Sequence, residues 1–155
     1  MPKILNIKLD KLELIKVKKS NSHALILYKI LKNRDTKFSI SHKSIPTLEE
    51  HIKFVISNPY RYWFIIKRSR IVLGSVYITT SNEVSISLLK NSKKNFSDIL
   101  NLIIQNITPL PAIVSRRNEK FILNLSPNNK FYIKLLNNIG AQKIQETYVL
   151  TVNSI

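Results

Sequence analysis

Three short runs of β-branched and aromatic residues, separated only by brief turns, constrain the fold of this chain more than any other feature. The runs cover residues 62–67, 71–79 and 83–89. Their connections, residues 68–70 and 80–82, are short enough to be hairpin turns. We therefore predict three antiparallel strands in sequence order, which form the centre of a sheet.

Segments on either side of these runs predict the outer strands and the helices. Thr47 and Glu50 have the spacing of a capping box, and Asn58-Pro59 stops the helix that they begin. Strands are predicted at residues 11–18, 121–125 and 145–152; helices follow residues 20–22, 44–47 and 126–129, and another covers about residues 97–106. The order β-α-α-β-β-β-α-β-α-β predicts an α/β (α+β) fold, with a mixed, mostly antiparallel sheet flanked by helices. At 155 residues, the chain is expected to form one domain over residues 1–155.

The chain carries an excess of positive charge, with 25 Lys and Arg against 9 Asp and Glu and a formal net charge of +16. One interpretation is an anionic partner such as a nucleic acid, a membrane surface or a phosphorylated ligand. The other is drift in base composition, because the abundant Lys, Asn and Ile are encoded by A/T-rich codons. The basic residues are spread along the sequence, which favours drift for most of the charge.

The absence of Cys and the scarcity of Gly exclude several classes of functional site. The chain has no Cys, which excludes thiolate nucleophiles, zinc fingers and iron–sulfur clusters, and no other metal-ligand spacing is recognisable. Its 2 Gly residues exclude a glycine-rich phosphate loop. No N-terminal run resembles a secretory signal, and no segment approaches the ~18 apolar residues of a membrane span. We expect a soluble, cytoplasmic protein that binds neither a metal nor a membrane.

Three parts of the sequence resemble one known family. In residues 121–141, a strand is followed by Asn129, which lies eleven residues before Gly140, and a helix connects the two. The other parts are the hairpin of residues 71–79 and 83–88, with Gly74 in its first strand, and the helix start at residues 45–54. With these motifs, the chain resembles the GCN5-related N-acetyltransferase (GNAT) superfamily over nearly its whole length.

The resemblance implies a site for acetyl-CoA, or another acyl-CoA, between the fourth and fifth predicted strands. In this family these strands splay apart, the pantetheine arm pairs with the fourth strand, and the next helix directs its N-terminal amides at the pyrophosphate. The residues expected to bind the cofactor are Ile86, Ser87, Leu88, Lys93, Lys94, Asn95, Phe96, Ser97 and Asn129. Glu83, at the start of the fourth strand, is the expected general base.

The chain departs from the family pattern at two places. Phe96 and Asp98 stand where the family has the glycines of its phosphate loop, so Lys93-Lys94 is expected to replace backbone amides as phosphate contacts. Leu136 stands where the family often has a general-acid tyrosine. Tyr132, one helical turn earlier on the same face, is the expected substitute acid. The alternative is that the fold is kept while the cofactor site is lost.

The acceptor side of the expected site has four candidate residues. They are His51 on the second helix, Arg61 before the second strand, Tyr77 on the third strand and Tyr148 on the last strand. The alternative for each is a packing or surface position.

Together these features predict an enzyme, an N-acyltransferase that moves acetyl from acetyl-CoA to a primary amine of an amino-sugar nucleotide, a protein N-terminus or a small molecule. Its expected partners are the acyl-CoA and the amine acceptor, and it is expected to be a monomer or a homodimer. The alternative is a catalytically degenerate module of the same fold that binds an anionic partner such as nucleic acid. An open cleft between the fourth and fifth strands would favour the enzyme, and a cleft filled by Phe96 or Tyr132 would favour the module.

Overall fold

A computed structural model describes residues 6–35 and 44–151, and the strands in these ranges form one sheet in the order β1-β2-β3-β4-β5-β6. The strands are β1 (Asn6–Leu9), β2 (Leu12–Lys16), β3 (Tyr62–Arg68), β4 (Ile71–Ile78), β5 (Glu83–Leu88) and β6 (Ile122–Leu123). The helices are α1 (Asn21–Lys32), α2 (Leu48–Ser57), α3 (Lys93–Asn106) and α4 (Lys130–Asn138). This mixed, mostly antiparallel sheet with flanking helices confirms the predicted fold class.

The hairpins that join β3, β4 and β5 are confirmed as the centre of the sheet. Strand pairing is antiparallel from β1 to β5, and only β5 and β6 run parallel. The turn between β3 and β4 has positive φ at both central residues, Ser69 at 48° and Arg70 at 73°. That backbone matches the twist of a two-residue hairpin, although neither residue is the glycine or asparagine that usually adopts it.

The sheet is buried on both faces, and each face has its own apolar cluster. On β3, Trp63 and Ile65 face α1 and α2, whereas Phe64 and Ile66 face the side that α3 covers. This alternation follows from the two-residue period of a strand, and it explains why β3 is a continuous apolar run in the sequence. The packing therefore has three layers, with α1 and α2 on one side of the sheet and α3 and α4 on the other.

Several predicted element bounds are wrong. The strand expected at residues 11–18 is the shorter β2, and the additional strand β1 precedes it. Helix α3 begins at Lys93, four residues before its predicted start, because Ser92 rather than Ser97 caps it; the Asn95 N–H donates to Ser92 Oγ at 3.2 Å. The strand expected at residues 145–152 is absent from the part that the structure describes, where residues 141–151 are exposed and lie outside any helix or strand.

Within residues 6–35 and 44–151, no helix has the length and apolar character needed to cross a membrane. In the same ranges, no three His, Asp or Glu side chains come together in an arrangement that could hold a metal ion.

Candidate functional site

A cleft of about 380 Å³ opens where β5 and β6 diverge. The two strands are paired only through Glu83 with Ile122 and Val84 with Leu123. Beyond that point, residues 84–89 form one wall, residues 123–126 form the other, and the end of α1 closes one side. The cleft is therefore bounded on both faces of the sheet, with α1 on one face and α3 and α4 on the other.

The β5 wall presents backbone groups that the sheet does not use. In the ladder with β4, the Thr79 N–H donates to the Glu83 carbonyl at 3.0 Å, and the Leu89 N–H donates to the Leu73 carbonyl at 2.9 Å. Because antiparallel hydrogen bonding alternates along a strand, the residues of β5 between these positions alternate as well. Ser87 is therefore bonded to β4, whereas the N–H and C=O groups of Ile86 and Leu88 point toward the cleft.

Gly74 lets β4 and β5 approach unusually closely beside this wall. A Cβ atom at Gly74 would lie 1.9 Å from the carbonyl oxygen of Ser87 and 3.0 Å from the Cα of Leu88. Neither atom belongs to a flexible side chain that could move aside, so only glycine fits here. The close contact holds the end of β5 against β4, on the side away from β6.

Glu83 lies at the closed end of the cleft and is held by two donors. The Asn124 Nδ2 group donates to Glu83 Oε1 at 3.1 Å, and the Thr79 hydroxyl donates to Glu83 Oε2 at 3.3 Å. Asn124 also lines the cleft. By the alternation of β5, Glu83 faces the same side as Ser85, which pairs with Tyr77 on the side of α1 and α2. A fixed carboxylate therefore stands beside the cleft on that face.

The first turn of α3 occupies the segment expected to be a phosphate loop. Ser92 Oγ accepts the Asn95 N–H, and the Ser92 carbonyl accepts the Phe96 N–H at 3.0 Å. Lys93 and Lys94 are exposed in this first turn, and Ser97 lies within the helix rather than before it. The two lysines thus lie at a helix N-terminus, where the backbone already favours an anion.

An ion-pair network neutralises Asp98, one turn into α3. Its Oδ2 atom accepts from Arg68 Nη2 and from Lys94 Nζ, both at 2.8 Å, and Arg68 Nε donates to Asn95 Oδ1 at 3.2 Å. Burial alone would raise the pKa of Asp98, but the hydrogen bonds and charges of Lys94 and Arg68 lower it overall. The negative charge at the position where a phosphate-loop glycine was expected is therefore balanced within the protein.

Phe96 and Tyr132 stack in the cleft wall with ring centroids 4.3 Å apart. The Tyr132 hydroxyl is buried and forms no hydrogen bond in the described part of the chain. Burial raises the pKa of this hydroxyl, and the nearby Ser92 backbone offsets the rise only in part. Tyr132 packs with Ile86 and Leu88, on the face opposite Glu83. The structure does not bring Tyr132 and Glu83 together.

Asn129 joins the cleft wall to α4. It is the N-cap of α4, and its Oδ1 accepts the Tyr132 N–H at 3.4 Å. Its side chain also lines the cleft, as do Ile86, Ser87, Leu88 and Phe96. Five of the nine residues expected to bind the cofactor thus lie in one wall or the other, and the four at 93–95 and 97 are in the first turns of α3.

The four candidate acceptor residues are not gathered at the cleft. His51 is 5% exposed between α1 and α2, where its ring lies 5.3 Å from that of Tyr28. Burial lowers the pKa of His51, and a backbone hydrogen bond with Ala24 offsets this only in part. Arg61 donates to the Thr108 carbonyl at 3.0 Å. Neither residue lines the cleft.

Tyr77 and Tyr148 also lie outside the cleft wall. Tyr77 stacks on Tyr60 with ring centroids 3.9 Å apart, on the face of the sheet that Glu83 shares. Tyr148 is 76% exposed, outside the sheet, and donates its hydroxyl proton to Glu146 at 2.8 Å. The expectation that Tyr148 faces a cleft from a last strand is wrong, because no such strand forms in the described residues.

The sequence alone does not identify two asparagines that matter to the site. Asn124, the partner of Glu83, follows a two-residue strand and belongs to no motif. Asn82 is fully buried with a φ of 61°, and its side chain bonds the Leu110 N–H and the carbonyls of Leu110 and Asn118 at 2.7–2.8 Å. A turn asparagine before Glu83 is a weak signal, because asparagine in turns is common.

Comparison with known proteins places this geometry among acetyltransferase structures. No family model and no curated protein matches the sequence. One similar solved structure is that of RimL, a ribosomal L7/L12 alpha-N-protein acetyltransferase, in complex with coenzyme A. Its sequence is 14% identical, the TM-score is 0.65, and the match covers 87% of this chain and 82% of the RimL chain. An acetyltransferase of Salmonella typhimurium that modifies the N-terminal serine of L7/L12 is 16% identical, with a TM-score of 0.61 and coverages of 87% and 83%.

A third solved structure extends the match. A possible acetyltransferase from Clostridium difficile 630 is 13% identical, with a TM-score of 0.54, and the match covers 91% of this chain and 97% of that one. At such identities the likeness concerns the fold alone. The splayed strands, the helix order and these neighbours agree: the chain has the fold of the GCN5-related N-acetyltransferases.

Proposed function

We propose that this protein is an N-acyltransferase that transfers acetyl from acetyl-CoA to a primary amine. The observation that carries the proposal is the open cleft between β5 and β6, with the backbone groups of Ile86 and Leu88 directed into it. A neighbour with this fold was solved with coenzyme A, which supports a ligand of the same class here.

The cleft suits a long, thin acyl-CoA arm. The pantetheine amides would bond the free backbone groups of Ile86 and Leu88, as an added strand would. The phosphates would lie at the N-terminus of α3, near Lys93 and Lys94. Lysine binds phosphate as a point charge and needs no glycine loop. Asn129 would contact the arm from the opposite wall.

The chemistry requires one proton acceptor and one polarising donor. The neutral amine attacks the thioester carbonyl, a C–N bond forms, the C–S bond breaks, and the coenzyme leaves as a thiolate. Glu83, held by Asn124 and Thr79, accepts the proton that the amine loses. A β5 N–H directed into the cleft stabilises the charge that develops on the carbonyl oxygen.

The leaving thiolate does not require Tyr132. An unperturbed tyrosine has a pKa of about 10, so its phenol is a weak acid even before burial. Burial raises the pKa of Tyr132 further. In this proposal the thiolate therefore takes its proton from water, and Tyr132 forms part of the wall.

The acceptor is an amine of an amino-sugar nucleotide, a protein N-terminus or a small molecule. A protein N-terminus comes first among these, because two neighbours act on the N-terminus of a ribosomal protein. The expected location is the cytoplasm.

Calorimetry with acetyl-CoA, coenzyme A and S-acetyl-pantetheine tests the proposal. Both coenzyme forms should bind, and the pantetheine thioester, which lacks the nucleotide phosphates, should bind more weakly. The double variant Lys93→Gln/Lys94→Gln should lose affinity for coenzyme A but not for the thioester, whereas Lys53→Gln, an exposed lysine on α2, should behave as wild type. No detectable binding of acetyl-CoA at millimolar concentration would overturn the proposal.

A second candidate function is a non-catalytic module that binds an anionic partner. The observation that favours it is the formal net charge of +16, together with the ion pairs that already engage Glu13, Glu49, Asp98 and Glu146 in the described part of the chain. The excess positive charge is therefore left to act outward. Tight binding of an RNA or DNA oligonucleotide, falling steeply with salt, together with no binding of acetyl-CoA, would establish this alternative.

A further inference from the structure

Residues 113–117, here called the basic hairpin, form a tight turn in the connection between α3 and β6. The Ile113 N–H donates to the Arg117 carbonyl at 3.0 Å, and the Arg117 N–H donates back to the Ile113 carbonyl at 2.9 Å. Ser115 closes the tip of the hairpin with a φ of 61°. Because a serine is uncommon in this left-handed region, the turn depends on the contacts that hold its two arms.

Side-chain hydrogen bonds hold the basic hairpin against the body of the protein. Arg117 Nε donates to the Pro111 carbonyl at 2.6 Å, and Arg117 Nη1 donates to the Thr80 carbonyl at 3.0 Å. The Asn82 side chain bonds the backbone shortly before and directly after the hairpin. A partner that binds here therefore loses little free energy to the ordering of this loop.

The tip of the hairpin and its flank combine apolar and positively charged side chains that lie in solvent. Val114 is 91% exposed and Ile113 is 43% exposed. Arg116 and Lys120 are also exposed, and neither forms an ion pair with a residue that the structure describes. From residue 108 to residue 120 the sequence has three basic residues and one acidic residue, Glu119. This surface therefore suits an anionic partner that also offers apolar area.

Arg61 adds a fourth cation beside the hairpin. Its Nη2 atom donates to the Thr108 carbonyl at 3.0 Å, and its guanidinium lies over the Tyr62 ring, 5.0 Å from the centroid. Thr108 and Pro111, which hold Arg61 and Arg117, are three residues apart, so their Cα atoms lie within about 11 Å of each other. The four neighbouring cations are here called the basic patch, and they are Arg61, Arg116, Arg117 and Lys120.

The basic patch lies at the opposite end of α3 from the proposed site of the coenzyme phosphates. Helix α3 has 14 residues, and it is therefore about 21 Å long. The connection that carries the hairpin begins after the last residue of this helix, Asn106, whereas the phosphates are proposed at its N-terminus, near Lys93 and Lys94. No residue of the patch lines the cleft. The anion that suits this patch is therefore not the coenzyme.

We propose that the basic patch and the hairpin tip bind single-stranded nucleic acid, at a surface separate from the cleft. Three of the four cations are arginines, whose planar guanidinium groups match the oxygens of a phosphate. A single strand presents phosphates together with unpaired bases, so the apolar side chains of Ile113 and Val114 gain a contact with the base faces. The formal net charge of +16 adds attraction at longer range. RNA and DNA share this chemistry.

Fluorescence anisotropy in a salt series, with labelled RNA and DNA strands of one sequence and about twelve nucleotides, tests the proposal. One or both strands should bind with an affinity that falls with salt, and the tighter one identifies the natural class of ligand. Arg116→Gln/Lys120→Gln should weaken binding at least about tenfold and lower the slope of log K against log salt by about 1.4, the value for two phosphate contacts of a single strand. Val114→Ser should weaken binding by about threefold without changing the slope, because it removes apolar area but no charge.

The matched control is Lys11→Gln/Arg70→Gln, which removes the same charge from two exposed residues at the opposite end of β3. Its affinity should stay within about twofold of wild type, and both double variants should keep the melting temperature of wild type. Equal losses in the two double variants would show a diffuse charge effect and overturn the proposal. Polyglutamate that binds as tightly as the nucleic acid, displacement of the strand by acetyl-CoA, or no binding of either strand would overturn it as well.

Discussion

The two halves of the sheet are built from similar strands but are joined very differently. β3 and β4 are paired from Tyr62–Ile78 to Arg68–Ile71, whereas β5 and β6 share only two pairs. The open half is not poorly packed, because Phe96, Leu100, Tyr132 and Leu135 form a buried cluster beneath it. The opening therefore lies in the hydrogen-bonding plane of the sheet. There it leaves backbone donors and acceptors for a ligand while the core stays filled.

The largest effect is expected at Glu83, where the fully paired half of the sheet (β3 and β4) meets the half that opens (β5 and β6). Glu83→Gln keeps the donors Thr79 and Asn124 in reach but removes the proton acceptor, so turnover should fall by about 10²–10⁴-fold. Acetyl-CoA affinity and thermal stability should not change. Steady-state kinetics and calorimetry measure both. Glu49→Gln, an exposed acid paired with Lys53, is the matched control; a wild-type rate in Glu83→Gln would remove Glu83 from the mechanism.

The close approach at Gly74 gives the next largest effect. In Gly74→Ala the added methyl group meets the Ser87 carbonyl and pushes β5 from β4, which should cost about 2–3 kcal/mol of stability and weaken acetyl-CoA binding. The other glycine provides the control. Gly140→Ala meets no atom within 4 Å, but its φ of 81° should cost about 1 kcal/mol without changing binding. Equal effects of the two variants on binding would contradict the role of Gly74 in shaping the cleft.

The variant Tyr132→Phe distinguishes two roles for Tyr132, that of a general acid and that of a residue of the cleft wall. If Tyr132 is the general acid, turnover falls at least tenfold while coenzyme affinity stays the same. The geometry predicts instead a turnover within about threefold of wild type and a stability up to about 1 kcal/mol higher, since an unpartnered buried hydroxyl is removed. Chemical denaturation and steady-state kinetics distinguish the two outcomes.

The smallest effect concerns His51, which lies between α1 and α2, away from the cleft. Its pKa in the folded state is below the unfolded value of 6.5. As the pH falls below 6.5, the unfolded chain therefore binds a proton that the folded chain does not, and stability is lost. Between pH 7 and pH 5 the melting temperature of the wild type should fall by about 2–4 °C more than that of His51→Gln.

His23 must be controlled for in that experiment. Burial, followed by the charges of Lys18 and Lys67, also lowers the pKa of His23. The single His23→Gln variant therefore removes a separate part of the same pH dependence. If His51→Gln and the wild type have parallel curves, His51 is not the buried group that the structure shows.

The elements with short-range signals could be predicted from the sequence, and those that depend on distant partners could not. The capping box of Thr47 and Glu50 is confirmed, because its partners are three residues apart. The antiparallel hairpins follow from alternation and turn length. In contrast, the β-branched residues 145–152 satisfy every local rule for a strand, yet strand formation requires an edge to pair with. Local pattern contains no information about that edge.

The candidate site divides in the same way. Ile86, Leu88 and Asn129 could be placed through a motif whose spacing reflects one local unit, and they do line the cleft. Asn124 could not, because its role depends on a carboxylate 41 residues away in sequence. Spacing places Tyr132 on the same helical face as Leu136, but spacing does not report that the sheet lies between Tyr132 and Glu83.

The hydrogen bonds of the buried Asn82 side chain have a mechanical consequence for the cleft. By tying the β4–β5 turn to the segment that precedes β6, its three side-chain hydrogen bonds fix the end at which β5 and β6 are joined. From that end the two strands diverge, so the cleft is open along its side. Such a cleft admits a flexible chain from the side, without threading, and hydrogen exchange should be faster at Ile86 and Leu88 than at Val84. The hydrogen bonds of Asn82 therefore determine the end of the sheet from which the cleft opens.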